Sequence, residues 1–263
     1  MSQDNVEKSI EQAASLISHA SYVVAFTGAG VSTDSGIPDY RSAESGIWND
    51  VDQLRIASIH GFKQDPSAFY HWVRPLTDTI LKAQPNPAHH ALVQLENAGL
   101  LKAIITQNID MLHTRAGNTL VYELHGHMRT GTCIHCFQKY DGKKMLHAYL
   151  ETGEIPRCTQ CSKGVIKPDV ILFGEQLPIR VFQSAQEATR QSDLMIIIGS
   201  SLEVAPASDI PVLAARTGAK IVIINLEPTP ADSMADVVIH ARAADILPRI
   251  VSQVEKISSS QAS

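Results

Sequence analysis

Two short runs, DLMIIIG (193–199) and KIVIIN (220–225), are apolar and β-branched, and they constrain the fold more than any other feature of the chain. Runs of this kind read as buried strands of a parallel sheet, covered by helices on both faces. Pro206 to Thr217 lies between them and is long enough for a crossover helix. YVVAF (22–26), LKAIIT (101–106) and LVYEL (120–124) read as further strands. Val6, Ile10, Ala13, Ala14 and Ile17 recur at helical spacing in the first segment. Residues 66–82 and 87–98 also read as helices, with Pro66 at the start of one and Gly99 at the end of the other. ADILPRIVSQVEKI (244–257) closes the pattern, although Pro248 blurs its start, and the SSSQAS tail is expected to be disordered. Strand–helix alternation of this kind predicts an α/β fold with a doubly wound parallel sheet.

The alternation breaks twice. Residues 128–168 hold all four cysteines and little helical period, and read as a small insert. Residues 42–86 are a second insert candidate, too long for a simple loop, with Trp48, Phe62, Phe69 and Trp72 available for a small core. With 44% hydrophobic and 19% charged residues among 263, the composition excludes wholesale disorder. The net charge of -5 argues against broad, charge-driven binding of nucleic acid. No apolar run approaches the ~18 residues of a membrane span. The start, MSQDNVEKSI, lacks the basic and apolar regions of a secretory signal. An intracellular, cytoplasmic protein is therefore expected.

The cysteines form two Cys-x-x-Cys pairs, Cys133–Cys136 and Cys158–Cys161, with 21 residues between them. Each pair can turn both sulfurs toward one ion, and four thiolates close a tetrahedral Zn²⁺ site with no open position. The zinc is expected to be structural. A redox dithiol is the competing reading, and two such pairs close together oppose it.

Strand 22–26 runs directly into Thr27-Gly28-Ala29-Gly30-Val31-Ser32-Thr33. A Gly-rich turn leaving a parallel strand can offer backbone N–H groups to a diphosphate, though a plain turn would look similar. Thr33 stands where the dinucleotide fingerprint has its third glycine. The region that should supply a ribose-binding acid reads DYRSAESGIWND, which is no strand. The loop thus fits NAD without the usual hydride-transfer arrangement. Gln107, Asn108 and Asp110 follow one predicted strand, and His125 follows another. Ligands in open α/β sheets bind beyond the carboxyl ends of strands, so these groups should converge on one crevice. Eleven histidines are present, and most need no catalytic explanation. His125 is the candidate base because it ends a strand, precedes a glycine and titrates near neutral pH.

GAGVSTDSGIPDYRS (28–42), TQNID (106–110), ELHG (123–126), the two cysteine pairs, KPDVILFGE (167–175), GSSLEVAP (199–206) and INLEPTP (224–230) occur in one order along the chain. In that order the sequence resembles the sirtuin family of NAD-dependent protein deacylases over about residues 5–250, with short termini similar to prokaryotic members. The resemblance implies a Rossmann-like NAD-binding domain formed by 1–127 and 169–263, with the helical insert at 42–86. It implies a zinc-binding small domain, a zinc ribbon, at 128–168, with the active site in the cleft between the two. It also implies that NAD is consumed. The acyl-lysine oxygen attacks the ribose carbon, and His125 acts as base on a ribose hydroxyl, with Asn108 beside it as a second catalytic group. Nicotinamide, free lysine and O-acetyl-ADP-ribose are the products.

The same resemblance assigns Gly28, Ala29, Gly30, Thr33, Asp39, Tyr40 and Arg41 to the cofactor loop, Tyr40 standing where Phe is usual. Ile109 and Asp110 match the nicotinamide pocket, and Gln107 and Asn108 the ribose contacts. Gly199, Ser200, Ser201, Asn225 and Glu227 match the adenosine side. Val170, Phe173, Gly174 and Glu175 match a groove in which an extended acyl-lysine peptide pairs as a strand. Members that prefer succinyl or malonyl lysine carry a Tyr and, three residues on, an Arg. Here Tyr70 matches but Val73 replaces the arginine, so uncharged acyl groups are the expected substrates. Arg74 is one residue too late, about 100° around a helix. The oligomeric state is left open, with a monomer as the default. Mono-ADP-ribosyl transfer, a non-catalytic zinc-ribbon adaptor and a conventional dehydrogenase are the rival readings.

Overall fold

The computed structural model describes residues 3–39 and 51–261. Tyr40, Arg41 and Trp48 therefore lie outside the described residues. The chain opens with α1 (Gln3–His19) and β1 (Val23–Thr27), then two single 3₁₀ turns at Ala29–Val31 and Thr33–Ser35. Three helices follow, α2 (Val51–Ile56), α3 (Ile59–Gln64) and α4 (Pro66–Lys82). Next come α5 (Pro87–Asn97), β2 (Leu101–Thr106), α6 (Leu112–Ala116) and β3 (Val121–Glu123). The middle of the chain forms β4 (Gly126–Cys133), β5 (Lys139–Asp141), α7 (Gly142–Thr152) and β6 (Ile166–Val170). The remainder is α8 (Ile179–Gln191), β7 (Leu194–Ile198), α9 (Asp209–Arg216), β8 (Lys220–Ile224), β9 (Val237–Ile239) and α10 (Ala243–Gln261).

Among the described residues, six strands form one parallel sheet in the order β3-β2-β1-β7-β8-β9. The strand order reverses at β1, which is where ligands enter open sheets of this kind. Alternation of side chains sends Val23 and Ala25 to one face and Val24 and Phe26 to the other. The first pair packs with Ile10, Ala13 and Ile17 of α1, Leu92 of α5 and Leu247 and Ile250 of α10. The second packs with Ala185 of α8 and Ile210 and Ala214 of α9. The result is the expected doubly wound, Rossmann-like architecture.

A separate antiparallel sheet, β5-β4-β6, carries the cysteines. A third core joins this sheet and α7 to α3 and α4. Phe62, Phe69 and Tyr70 meet Tyr149, Leu146 and Ile166 there. The Tyr70 hydroxyl donates to Ile166 O at 2.6 Å, and the Tyr149 hydroxyl donates to Tyr70 O at 2.6 Å. Helix starts follow local chemistry. Asp65 caps α4 by accepting from Ser67 N and Ala68 N, with Pro66 in the first turn, and Asn86 caps α5 ahead of Pro87.

Two expectations need correction. Residues 128–168 do contain a helix, α7, which Asp141 caps by accepting from Lys144 N and whose inner face is Met145, Leu146 and Tyr149. The serine-rich tail is helical through Gln261 rather than disordered. Ser258, Ser259 and Ser260 each donate to the carbonyl four residues earlier, and the helix they continue is anchored just before them by Val254 and Ile257 in the first core.

Phe62 is fully buried, with its ring 5.1 Å from that of Phe69 and 6.2 Å from that of Tyr70. Replacing it by Ala should cost about 3–5 kcal/mol. Chemical denaturation of Phe62→Ala checks this. A midpoint equal to that of the unsubstituted protein would contradict the third core.

Candidate active site

The site is built where β1, β2 and β7 end. Gly28 N donates to Ile198 O at 3.0 Å, and Gly30 N donates to Gly199 O at 2.9 Å. The two backbones touch because neither carries a side chain. A Cβ on Gly28 would lie 2.7 Å from Gly199 O, and one on Gly30 would lie 2.8 Å from Gly199 Cα. Gly199 adopts φ +58, and a side chain there would overlap Val31 N. The loop from Gly28 to Thr33 is thereby pressed against the end of β7.

The next strand end meets the same loop. Gln107 N donates to Thr27 O at 3.0 Å, and Gln107 Nε2 donates to Ser200 Oγ at 2.9 Å. Asn108 is buried and donates from Nδ2 to Gly28 O at 3.1 Å and to Ser32 Oγ at 3.2 Å. Ser32 Oγ in turn donates to Asp110 Oδ2 at 2.7 Å, and Asp110 Oδ1 accepts from Leu112 N at 2.8 Å. Burial pushes the Asp110 carboxyl above its ordinary range. Asn108 Oδ1 is buried with no protein partner among the described residues. Asn108 also lines a small cleft with Ala29, Ile37, Ile109 and Asp110.

His125 follows β3. Its Nδ1 lies 3.0 Å from Gln107 O. A carbonyl only accepts, so Nδ1 carries the proton and Nε2 keeps its lone pair. Burial holds the imidazole below its ordinary value of 6.5, which favours that neutral form. Gly28, Gly30, Gln107, Asn108, Gly199 and Ser200 are joined by these contacts, His125 is tied to them through Gln107 O, and Ala29, Asn108, Ile109 and Asp110 line the small cleft. Thr33 is exposed and donates to Gly30 O, and Ser201 is exposed beside Ser200. Asn225 and Glu227 sit past β8 and are tied to each other, Asn225 Nδ2 donating to Glu227 O at 2.7 Å. Asp39 is described at the end of the loop and is partly buried.

The residues matched to the acyl-peptide groove divide. Val170 ends β6, and Ile171 N beside it donates to His125 O at 2.8 Å. Phe173 is exposed at its side chain, but its backbone pairs with the start of α3, since Phe173 N donates to Ala57 O and Phe173 O accepts from Ile59 N. The Glu175 carboxylate is taken by Lys167 Nζ at 3.0 Å and Leu172 N at 2.8 Å, closing the turn through Gly174. Tyr70 is sealed in the third core by its bond to Ile166 O, and Val73 lies 9% exposed in the same core. Arg74 Nη2 donates to Leu150 O at 2.6 Å, and its guanidinium stands 5.5 Å over the Tyr149 ring.

Sequence reasoning passes over Ser32, Thr27, His113 and Asn86, all buried in the network behind the loop. Asn86-Pro87 can be read as a helix start. Nothing in the sequence says that the Asn86 side chain also donates to Val31 O.

The four cysteine sulfurs lie within 4.8 Å of one another. Cys133 and Cys161 are 3.7 Å apart, and Cys136 and Cys158 are 3.5 Å apart. Zn–S bonds of about 2.3 Å in a tetrahedron require sulfurs about 3.8 Å apart, so the set fits zinc. The two knuckles repeat one geometry. Phe137 N donates to Cys133 O and Ser162 N to Cys158 O, each from a residue with positive φ. A Cβ on Gly164 would strike Cys133 Sγ, so glycine is required there. All four ligands are protein thiolates, which leaves the ion a structural role.

A family model for the Sir2 family matches residues 28–206. The NAD-dependent protein deacylase 2 of Archaeoglobus fulgidus is 44% identical over 254 residues, covering 97% of this chain and 99% of that protein. The NAD-dependent protein deacetylase of Sulfurisphaera tokodaii is 45% identical over 240 residues, covering 91% and 94%. A solved structure of a Sir2 enzyme superposes with TM-score 0.90 at 44% identity, covering 95% of this chain and 99% of that one. Sir2Af2 bound to a myristoylated histone peptide superposes with TM-score 0.83 at 41% identity, covering 97% and 99%.

Removing one thiolate should release the metal and loosen the ribbon, because binding and folding are coupled. Cys158→Ser should fall from one zinc per chain to a small fraction by elemental analysis, with a lower melting temperature. Retention of one zinc per chain would contradict the four-thiolate centre.

Proposed function

The chain belongs to the Sir2 family, and from that premise we propose that it is an NAD-dependent protein lysine deacylase acting on acetyl-lysine and other uncharged acyl-lysines. The observation that carries this reading is the pairing of His125 Nδ1 with Gln107 O beside the cleft of Asn108 and Asp110. Bound NAD supplies a nicotinamide–ribose bond that can break and a ribose that takes up the acyl group, giving nicotinamide and O-acetyl-ADP-ribose. The buried Asn108 Oδ1 without a protein partner and the bare backbone of Gly28 and Gly30 support such a ligand in the cleft.

In this reading Gly28, Ala29, Gly30 and Thr33 hold the diphosphate by close backbone approach, with Asp39 completing the loop. Tyr40 and Arg41 belong to the same assignment by resemblance. Ile109 and Asp110 hold the carboxamide, and Asp110 Oδ2 is oriented by Ser32. Asn108 and Gln107 face the ribose. Gly199, Ser200, Ser201, Asn225 and Glu227 form the adenosine side. His125 keeps Nε2 unprotonated and accepts a ribose hydroxyl proton there. Val170, Phe173 and Gly174 border the acyl-peptide groove, while Glu175 acts by holding its turn through Lys167 and Leu172 N. Residues 1–127 and 169–263 make up the NAD-binding domain, 42–86 its helical insert, and 128–168 the zinc domain. Reduced thiolates suit the cytoplasm, and among the described residues no helix is long and apolar enough to cross a membrane.

Acyl choice follows from Tyr70 and Val73. The Tyr70 hydroxyl is spent on Ile166 O and Arg74 is held on α7, so an acyl carboxylate would lack a partner beside Val73, which is costly. Acetyl-lysine should be cleaved faster than succinyl-lysine on one peptide. Val73→Arg should raise desuccinylation relative to deacetylation. Faster desuccinylation by the unsubstituted protein would overturn this assignment.

His125→Tyr should stay folded and lose about 10²–10⁴-fold in deacylation, followed by mass spectrometry of an acetyl-lysine peptide with NAD. The base works neutral, and burial lowers its pKa, so protonation should remove activity only at pH below the ordinary histidine value of 6.5. An acid limb of kcat/KM centred above 6.5, or near-normal turnover by His125→Tyr, would remove His125 from the role.

A further inference from the structure

We propose that His113 is a positioning residue for NAD, which fixes the Gln107–Asp110 turn through a buried hydroxyl pair, Thr27 and Thr106. The proposal rests on the function read above.

His113 lies on α6, one helix behind the cleft, and is 2% exposed. Its Nε2 is 2.9 Å from Thr27 Oγ1. Thr27 Oγ1 donates to Thr106 Oγ1 at 2.8 Å, across the register in which these residues end β1 and β2. Thr106 Oγ1 also accepts from Asn108 N at 3.0 Å. Thr27 spends its one proton on Thr106, so its oxygen must accept, and His113 must be the donor at Nε2. Burial keeps the ring well below the ordinary histidine range, so it carries one proton and that proton is committed. The chain of bonds therefore runs His113 to Thr27 to Thr106 and meets the backbone of Asn108 at its far end.

A parallel arm reaches the loop after β1. The His89 ring lies 4.9 Å from that of His113, and its Nδ1 accepts from Asn86 N at 3.3 Å. Asn86 Nδ2 donates to Val31 O at 2.8 Å and to Ser35 Oγ at 3.0 Å, gripping the cofactor loop from behind. The packed imidazoles thus join the two segments that must keep their spacing for a dinucleotide to fit. Neither histidine lines the cleft, so their effect on NAD passes through Asn108 and Val31.

The test measures NAD affinity by calorimetry on the full chain, and then KM for NAD and for an acetyl-lysine peptide. His113→Leu should weaken NAD binding about tenfold and raise its KM alike, with the peptide KM within about twofold, since a small misplacement suffices for such losses. His113→Gln should recover most of the loss, because its amide donor reaches where Nε2 stood. Thr27→Val, close in shape, cuts the same chain at its middle and should show the same split if His113→Leu does not fold. NAD affinity unchanged in Thr27→Val, or a Gln variant no better than Leu, would overturn the positioning role. Failure of the unsubstituted protein to bind NAD would instead overturn the function, and the proposal with it.

Discussion

Backbone meets backbone where β1 and β7 end, and the site is placed from that contact. Gly28, Gly30 and Gly199 leave no side chain between the strands, so the loop after β1 lies against the end of β7 with a hydrogen bond of 2.9 Å. β7 is held in turn by β8, through Gly199 N on Ile224 O. The polar side chains then have fixed surfaces to bond. Asn108 reaches Gly28 O, Gln107 reaches Ser200, and His125 reaches Gln107 O. A side chain at any of the three glycines would separate the strands and scatter these groups together. The cleft is therefore a property of the sheet rather than of a flexible loop.

The thiolate centre acts at a distance, and the β4–β6 ladder gives it a route. The knuckles hold Ile134 N on Val165 O and Ile166 N on Pro156 O. From there β6 runs to Val170, and Ile171 N meets His125 O. The third core fastens the same sheet to α4, through the Tyr70 hydroxyl on Ile166 O. A structural ion can thus matter to the site without touching a reactant. It anchors the strands that flank it, and β6 leads to the backbone contact with His125.

Much of the fold was legible because its strands are buried on both faces. The limits 101–106 and 66–82 match β2 and α4 to the residue, since a continuous apolar run and a Pro at a helix start leave little choice. α7 is not legible although Asp141 and Gly153 bracket it, because its apolar face is short and the segment between the cysteine pairs shows little helical period. The helical tail was missed because serine is weak in helices taken alone, and its back-bonding to the chain is not a pattern that composition displays. At the site, the residues that end strands could be found from their positions. Ser32 and Asn86 could not, since their partners, Asp110 and Val31, are distant in sequence or belong to another element. For Glu175, the sequence does not show that its carboxylate accepts from Lys167 Nζ and Leu172 N, since the first of these lies eight residues away on β6.

The central claim is that this cleft consumes NAD in step with removal of an acyl group, and stoichiometry tests it most directly. Nicotinamide released and lysine freed should be counted in one reaction with an acetylated peptide, with absorbance at 340 nm followed alongside. One nicotinamide per freed lysine, with no rise at 340 nm, is the predicted result. Lysine freed without nicotinamide, or reduction of NAD without loss of the acyl group, would contradict the account.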